Sequence, residues 1–211
     1  MANPLDAITA IHNAFRRDMK GIDSAALDSA RGKPGLTSAI ERFRFLNEIL
    51  VWHAHGEELA IFPVIESIAP SVAAAYERDH RGLDAAFEAL STAVSVNDSL
   101  ETARATAAFK FHLDIHLIKE DELLYPLMKD QVPASDQSKA VGMMSSTVPQ
   151  ERFPEVVKWM FPLMDHDDRE NMTRIWQMVM PAPAFNNAKQ LIQEAIGDEW
   201  IELTRRIPGL L

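Results

Sequence analysis

Two stretches of this chain repeat one arrangement of chemistry-bearing residues. A histidine is followed four positions later by a carboxylate, then directly by a second carboxylate, and then by an aromatic-proline pair. The first copy is His53 with Glu57, Glu58 and Phe62-Pro63; the second is His116 with Glu120, Asp121 and Tyr125-Pro126. At about 3.6 residues per turn, residues four apart share a helix face, so each copy presents an imidazole and a carboxylate in one direction. One more histidine precedes each copy, His12 and His80. The pattern is therefore His, then His-x-x-x-Glu, written twice. Helices that face one another would gather His12, His53, Glu57, His80, His116 and Glu120 into a site for two metal ions, with the carboxylates as bridges. The chain contains no cysteine, which excludes thiolate zinc sites, iron-sulfur clusters and thiol nucleophiles. Imidazole and carboxylate donors with open positions favour iron, while manganese and zinc also suit such donors. A carboxylate-bridged iron pair suits two-electron exchange with a diatomic ligand or peroxide.

Each residue also has a plainer role to weigh. One His-x-x-x-Glu on a solvated face gives only a weak i, i+4 attraction, and a lone helical histidine is ordinarily a hydrogen-bonded or surface group. The joint pattern outweighs these separate readings. His112, one turn before His116, is either a fifth nitrogen ligand or a residue lining the open coordination position. Glu58 and Asp121 lie roughly 100° around the helix from the central glutamates, as solvated groups or partners of the ligands, and Asp121 could replace Glu120 as the bridge. Tyr76, one turn before His80, is either a pocket residue or a core tyrosine. His55 points away from His53. The run Asp165-His166-Asp167-Asp168 reads as a helix start with charges favourable to its dipole.

The elements that must position these groups are helical throughout, since β-branched alternation is absent. The expected fold is all-α, an up-down-up-down four-helix bundle made of a duplicated hairpin. Asn3-Pro4 reads as the cap and first position of a helix carrying His12, and Arg31 to Gly35 as a turn. The second helix starts near Thr37 and carries the first copy, with Pro63 ending or kinking it for want of an N–H. The third spans about Ser71 to Ser95, and a capping box of Asp98 with Glu101 opens the fourth, which runs to about Met128. Residues 1–132 form this bundle. Residues 133–211, cut by six prolines from Pro149 to Pro208, are expected to form about three shorter helices that pack on the bundle or make a homodimer contact.

Composition narrows the partners. Twenty-one basic against 31 acidic residues leave a formal charge of -10, and no basic stripe is present, so nucleic acid is not expected. The N-terminal residues from Met1 show no export signal and no apolar run reaches membrane-span length, which points to a cytoplasmic location without a membrane partner.

At these motifs the chain resembles the hemerythrin-like, or HHE cation-binding, family, over roughly residues 5 to 130. The resemblance implies a non-heme di-iron centre with His12, His53, His80 and His116 as terminal ligands and Glu57 and Glu120 as bridges. Oxygen-carrying members have two histidines one turn apart on the third helix, whereas here Tyr76 stands at the second place, which argues against reversible oxygen carriage unless His112 compensates. The stretch from Glu151 to Met180 is similar to the tail after such domains in plant iron-regulating ubiquitin ligases, without a RING or F-box beside it. The leading expectation is a di-iron protein that interacts with O2, NO or peroxide as sensor, store or scavenger. The alternatives are a peroxide-decomposing or oxidase-like di-iron enzyme and an iron-responsive interaction protein.

Overall fold

A computed structural model describes residues 3–210; Met1, Ala2 and Leu211, at the outer ends of the two expected regions, lie outside it. Among the described residues there is no strand. Four long helices, α1 (Asp6–Ala30), α2 (Leu36–Gly56), α4 (Ala73–Ser95) and α5 (Ser99–Lys119), make the bundle. Helix α1 packs on α2 and α5, and α4 packs on α5. Short helices α3 (Phe62–Ile68) and α6 (Tyr125–Gln131) prolong α2 and α5.

The ends of these helices follow local chemistry. Asp98 caps α5, accepting from the N–H groups of Leu100 and Glu101, a contact worth about 1 kcal/mol. The other half of the expected box is not formed, because the Glu101 carboxylate accepts from Arg104 instead. Asn3 does cap, but one turn early: its Oδ1 accepts from Leu5 N–H and Asp6 returns the bond to Asn3 N–H, so regular α-helix begins only at Asp6.

Neither Pro63 nor Pro126 breaks its helix. Each is preceded by a π-helical turn, Glu57–Ile61 and Glu120–Leu124, closed by Phe62 N–H donating to Glu57 carbonyl and Tyr125 N–H to Glu120 carbonyl. Widening the helix by one residue absorbs the missing proline donor, and the chain continues into α3 and α6.

The later region holds more helices than expected: α7 (Ala134–Ser145), α8 (Phe153–Leu163), α9 (His166–Val179), α10 (Ala182–Ile196) and α11 (Trp200–Arg206). Pro149, Pro154, Pro181 and Pro183 sit at helix starts, Pro162 lies inside α8 and Pro208 follows α11, rather than cutting the chain into long pieces. Asp165 caps α9, as the acidic run suggests, by accepting from the N–H groups of Asp167 and Asp168. Helices α8 and α9 lie on α1, where Ala7, Ala10 and Ala14 are buried against Val157, Met160, Met172 and Ile175. Polar ties fix this docking: Trp159 Nε1 donates to the buried Asp18 at 2.7 Å, and Arg17 pairs with Asp165 at 2.6 Å. Two further apolar layers bracket the bundle's middle. One holds Phe15, Phe43, Phe109 and Leu113, the other Ile61, Phe62, Leu124 and Tyr125. The histidines and glutamates of the repeated motif lie between them.

Candidate metal centre

Burial is the first sign that these polar groups form a site. His12, Glu57 and Glu120 are fully enclosed, and His53, His80 and His116 nearly so. Each bundle helix contributes: α1 brings His12, α2 His53, α4 His80 and α5 His116, while the two π turns begin at Glu57 and Glu120. The six fall into two groups of four whose candidate ligand atoms lie within 4.8 Å of one another. One is His12, His53, Glu57 and Glu120; the other is Glu57, His80, His116 and Glu120. Both glutamates belong to both groups.

Several polar atoms here are buried without a hydrogen-bond partner: Glu57 Oε2, both oxygens of Glu120, and His80 Nε2. Native interiors rarely leave such atoms unpaired, and convergent lone pairs from imidazole and carboxylate are what a cation would satisfy. The spacing agrees. His80 Nε2 stands 3.4 Å from Glu57 Oε2, His116 Nε2 3.3 Å from Glu120 Oε1, and His53 Nε2 3.5 Å from Glu57 Oε1. The Nε2 atoms of His12 and His53 approach to 2.9 Å.

The outer nitrogens of two histidines are held by carboxylates in a crossed arrangement. His12 Nδ1 donates to Asp121 at 2.9 Å, and His80 Nδ1 donates to Glu58 at 2.9 Å. Each partner directly follows a central glutamate and comes from the other hairpin, on a helix that packs beside the one carrying the histidine it holds. A carboxylate on Nδ1 fixes that proton there and leaves Nε2 a bare lone pair aimed inward. Arg16 completes the strap on Asp121 at 2.6 Å. Asp121 thus lies outside both groups, and Glu120 occupies the shared place.

Burial sets most of the titration behaviour. It lowers His53 to about 3, against the pull of Glu57, and lowers His116 to about 4. Both imidazoles are neutral donors at ordinary pH. For Glu57, burial pushes the carboxyl up, but the imidazoles of His53 and His80 outweigh it and hold the group below the usual range. Glu120 is pushed well up, first by burial and then by Glu57. His80 is raised, because Glu57 and Glu58 overcome its desolvation.

Sequence reasoning left the aromatic-proline pairs without a role. Five α-helical residues turn through about 500°, which would aim Tyr125 well away from Glu120. The π turn, bonding residue i+5 to residue i, brings it back over the site. There the Tyr125 hydroxyl donates to Glu57 Oε1. Burial, then Glu57, push its ionisation well above the ordinary tyrosine range, so it keeps its proton. At the equivalent place Phe62 stacks on His80 at 5.3 Å. The signal available beforehand was the matched aromatic before proline in both copies.

Other expectations fare differently. His112 is exposed and belongs to neither group, because the inward positions of that turn are filled by Phe109 and Leu113. Tyr76 is a core residue whose hydroxyl donates to the Lys119 carbonyl at 3.0 Å, and it touches none of the six side chains through that group. His55 is exposed, as its position on the helix suggests. A cavity of about 200 Å³ between α2, α4 and α5 reaches His53, Glu57, His80 and His116, and is walled on its outer side by Asn47, His55, Arg81 and Asp84.

Comparison with known proteins meets this geometry. The family described as Hemerythrin HHE cation binding domain matches residues 3–108 and again 71–143. The chain belongs to the hemerythrin HHE cation-binding family. The chain is also similar to zinc finger protein BRUTUS of Arabidopsis thaliana, 25% identical over 201 residues, covering 92% of this chain and 16% of that protein. Two BRUTUS-like zinc finger proteins of the same plant are 22% and 21% identical, covering 84% and 89% of this chain and 15% and 16% of theirs. This chain therefore spans only a small part of those relatives. Coverage of 92% cannot be contained within residues 3–143, so the similarity takes in helices beyond the hemerythrin match. No solved structure matches the chain. Among the described residues, no helix is long and apolar enough to cross a membrane.

Proposed function

We propose that this chain is a non-heme di-iron-binding protein whose centre interacts with O2, NO or peroxide, as a sensor, store or scavenger. The observation that carries the reading is the pair of four-donor groups sharing Glu57 and Glu120. In this reading His12 and His53 serve one metal position and His80 and His116 the other, with the two glutamates bridging. Iron held by such donors supplies electron exchange with a small ligand. Asp121 and Glu58 hold the Nδ1 protons of His12 and His80, fixing which nitrogen faces the metal. Tyr125 keeps its proton and steadies Glu57. Burial, then Glu57, raise the proton affinity of Glu120, so a cation there would compete with protons. The 200 Å³ cavity beside His53 and His116 has ample room for a diatomic ligand or peroxide.

The test is elemental analysis of protein from iron-supplemented cells beside a His53→Ala/His116→Ala control. About two irons per chain, lost in the control, is the expected result. No bound metal, or equal metal in the control, would overturn the reading; zinc or manganese would change the chemistry assigned to the centre. Exposure of the iron form to NO, O2 and peroxide then separates a stable adduct, the expected outcome, from rapid peroxide turnover, which would make the protein an enzyme.

A further inference from the structure

A second cavity, of about 310 Å³, lies in the seam where the later helices cover the bundle. Its wall is drawn from α1, α2, α7, α8 and α9, and includes Ile11, Val156, Met160, Met172, Ile175 and Trp176. No Asp, Glu, Lys or Arg lines it. The hydroxyls it contains are already engaged: Ser138 donates to Ala134 carbonyl at 3.0 Å, Ser145 to Val141 carbonyl at 2.8 Å and Thr147 to Trp52 carbonyl at 2.9 Å. His53 is the one residue that lines both this cavity and the polar one at the metal centre.

We propose that this cavity binds an uncharged, apolar small molecule, of the size of a medium-chain alcohol or a three-ring aromatic, against the outer side of His53. The volume argues for an occupant. Protein interiors hold few voids larger than a water molecule, and this one is in the size range of ligand pockets. Water is a poor filling, since a stable buried water needs two or more polar partners and these walls offer almost none. Charge on a ligand is equally unfavourable, because nothing in the wall would pair with it. Flexible methionines at Met144, Met160, Met172 and Met180 let the wall adapt to an apolar body. The mouth is open to solvent at Gly142 and Val179, both of them exposed. The proposal goes beyond the iron reading and stands whichever metal is bound.

The experiment titrates the full chain with 1-aminoanthracene, a neutral fluorophore that brightens in apolar surroundings, and then adds n-decanol as competitor. Two mouth variants, Gly142→Trp and Val179→Trp, are compared. A Cβ at Gly142 meets nothing within 4 Å, and Val179 is 48% exposed, so both positions have an outward path for a larger side chain. Far-UV circular dichroism and bound metal serve as the controls for that. Saturable binding of one probe per chain, displaced by decanol and weakened about tenfold or more in the variants, is the expected outcome. Absence of saturable binding, or equal affinity in both variants and the parent, would show that the cavity takes no such ligand.

Discussion

Tyr125 donates to Glu57, which is fully buried and already has one oxygen without a partner. Tyr125→Phe removes the donor and keeps the ring. The metal-free protein should lose about 1–3 kcal/mol, the penalty for a newly unpaired buried acceptor. Iron stoichiometry should hold, while affinity falls about tenfold, as is usual when a group that orients a ligand is removed. Urea unfolding and chelator competition read these two effects; unchanged values in both would make Tyr125 a packing residue only. At this scale the sequence was informative wherever a residue's role depends on helical spacing. His53 with Glu57, and His116 with Glu120, follow from i, i+4 geometry alone, and Glu58 and Asp121 fell beside them. What remained unreadable depended on partners across the bundle. Nothing in the local sequence tells that Asp121 holds His12 and Glu58 holds His80, or that His112 emerges on the surface, whereas Tyr76 lies in the core as one reading of it expects.

At the scale of elements, the two π turns convert a regular helix into one that can aim Glu57 and Phe62, or Glu120 and Tyr125, at the same centre. Prolines 63 and 126 mark their ends in the sequence, yet the usual reading of proline as a stop or kink missed the third option of a widened turn. Just before the first π turn, Gly56 allows close approach of α7: a Cβ there would lie 2.6 Å from Met144 Cγ and 2.9 Å from its carbonyl oxygen. The backbone contact cannot be relieved by a rotamer change. Gly56→Ala should therefore destabilise the protein by about 1–3 kcal/mol through overpacking, although alanine in a helix is otherwise favoured by up to about 1 kcal/mol. Gly142→Ala, with open space around the added methyl, should show the opposite sign. Chemical denaturation of the pair decides the matter, since a Gly56→Ala protein as stable as the parent would mean that α7 moves away freely.

For the whole molecule, the question is whether the helices after residue 132 are an attachment or a structural part of the unit. Composition could place them on the bundle or at a homodimer contact, because Ala7, Ala10 and Ala14 read simply as good helix formers. In the structure α8 and α9 settle on these alanines, and each of three apolar clusters takes residues from both the bundle and the later helices. Asp18 shows the same dependence in polar terms. It is 2% exposed and takes its hydrogen bond from Trp159 of α8 as well as the pairing with Arg42. Ending the chain after residue 132 would uncover the alanine face with Ile11 and leave Asp18 with Arg42 alone. The fragment is expected to melt at a lower temperature than the full chain and to self-associate, because an exposed apolar face of this kind is covered in a stable monomer. Light scattering and thermal unfolding of the two forms, both loaded with iron, provide the comparison. A monodisperse fragment with an unchanged midpoint would show that the bundle is complete by itself, and that its sides are shaped for something other than the helices that cover them.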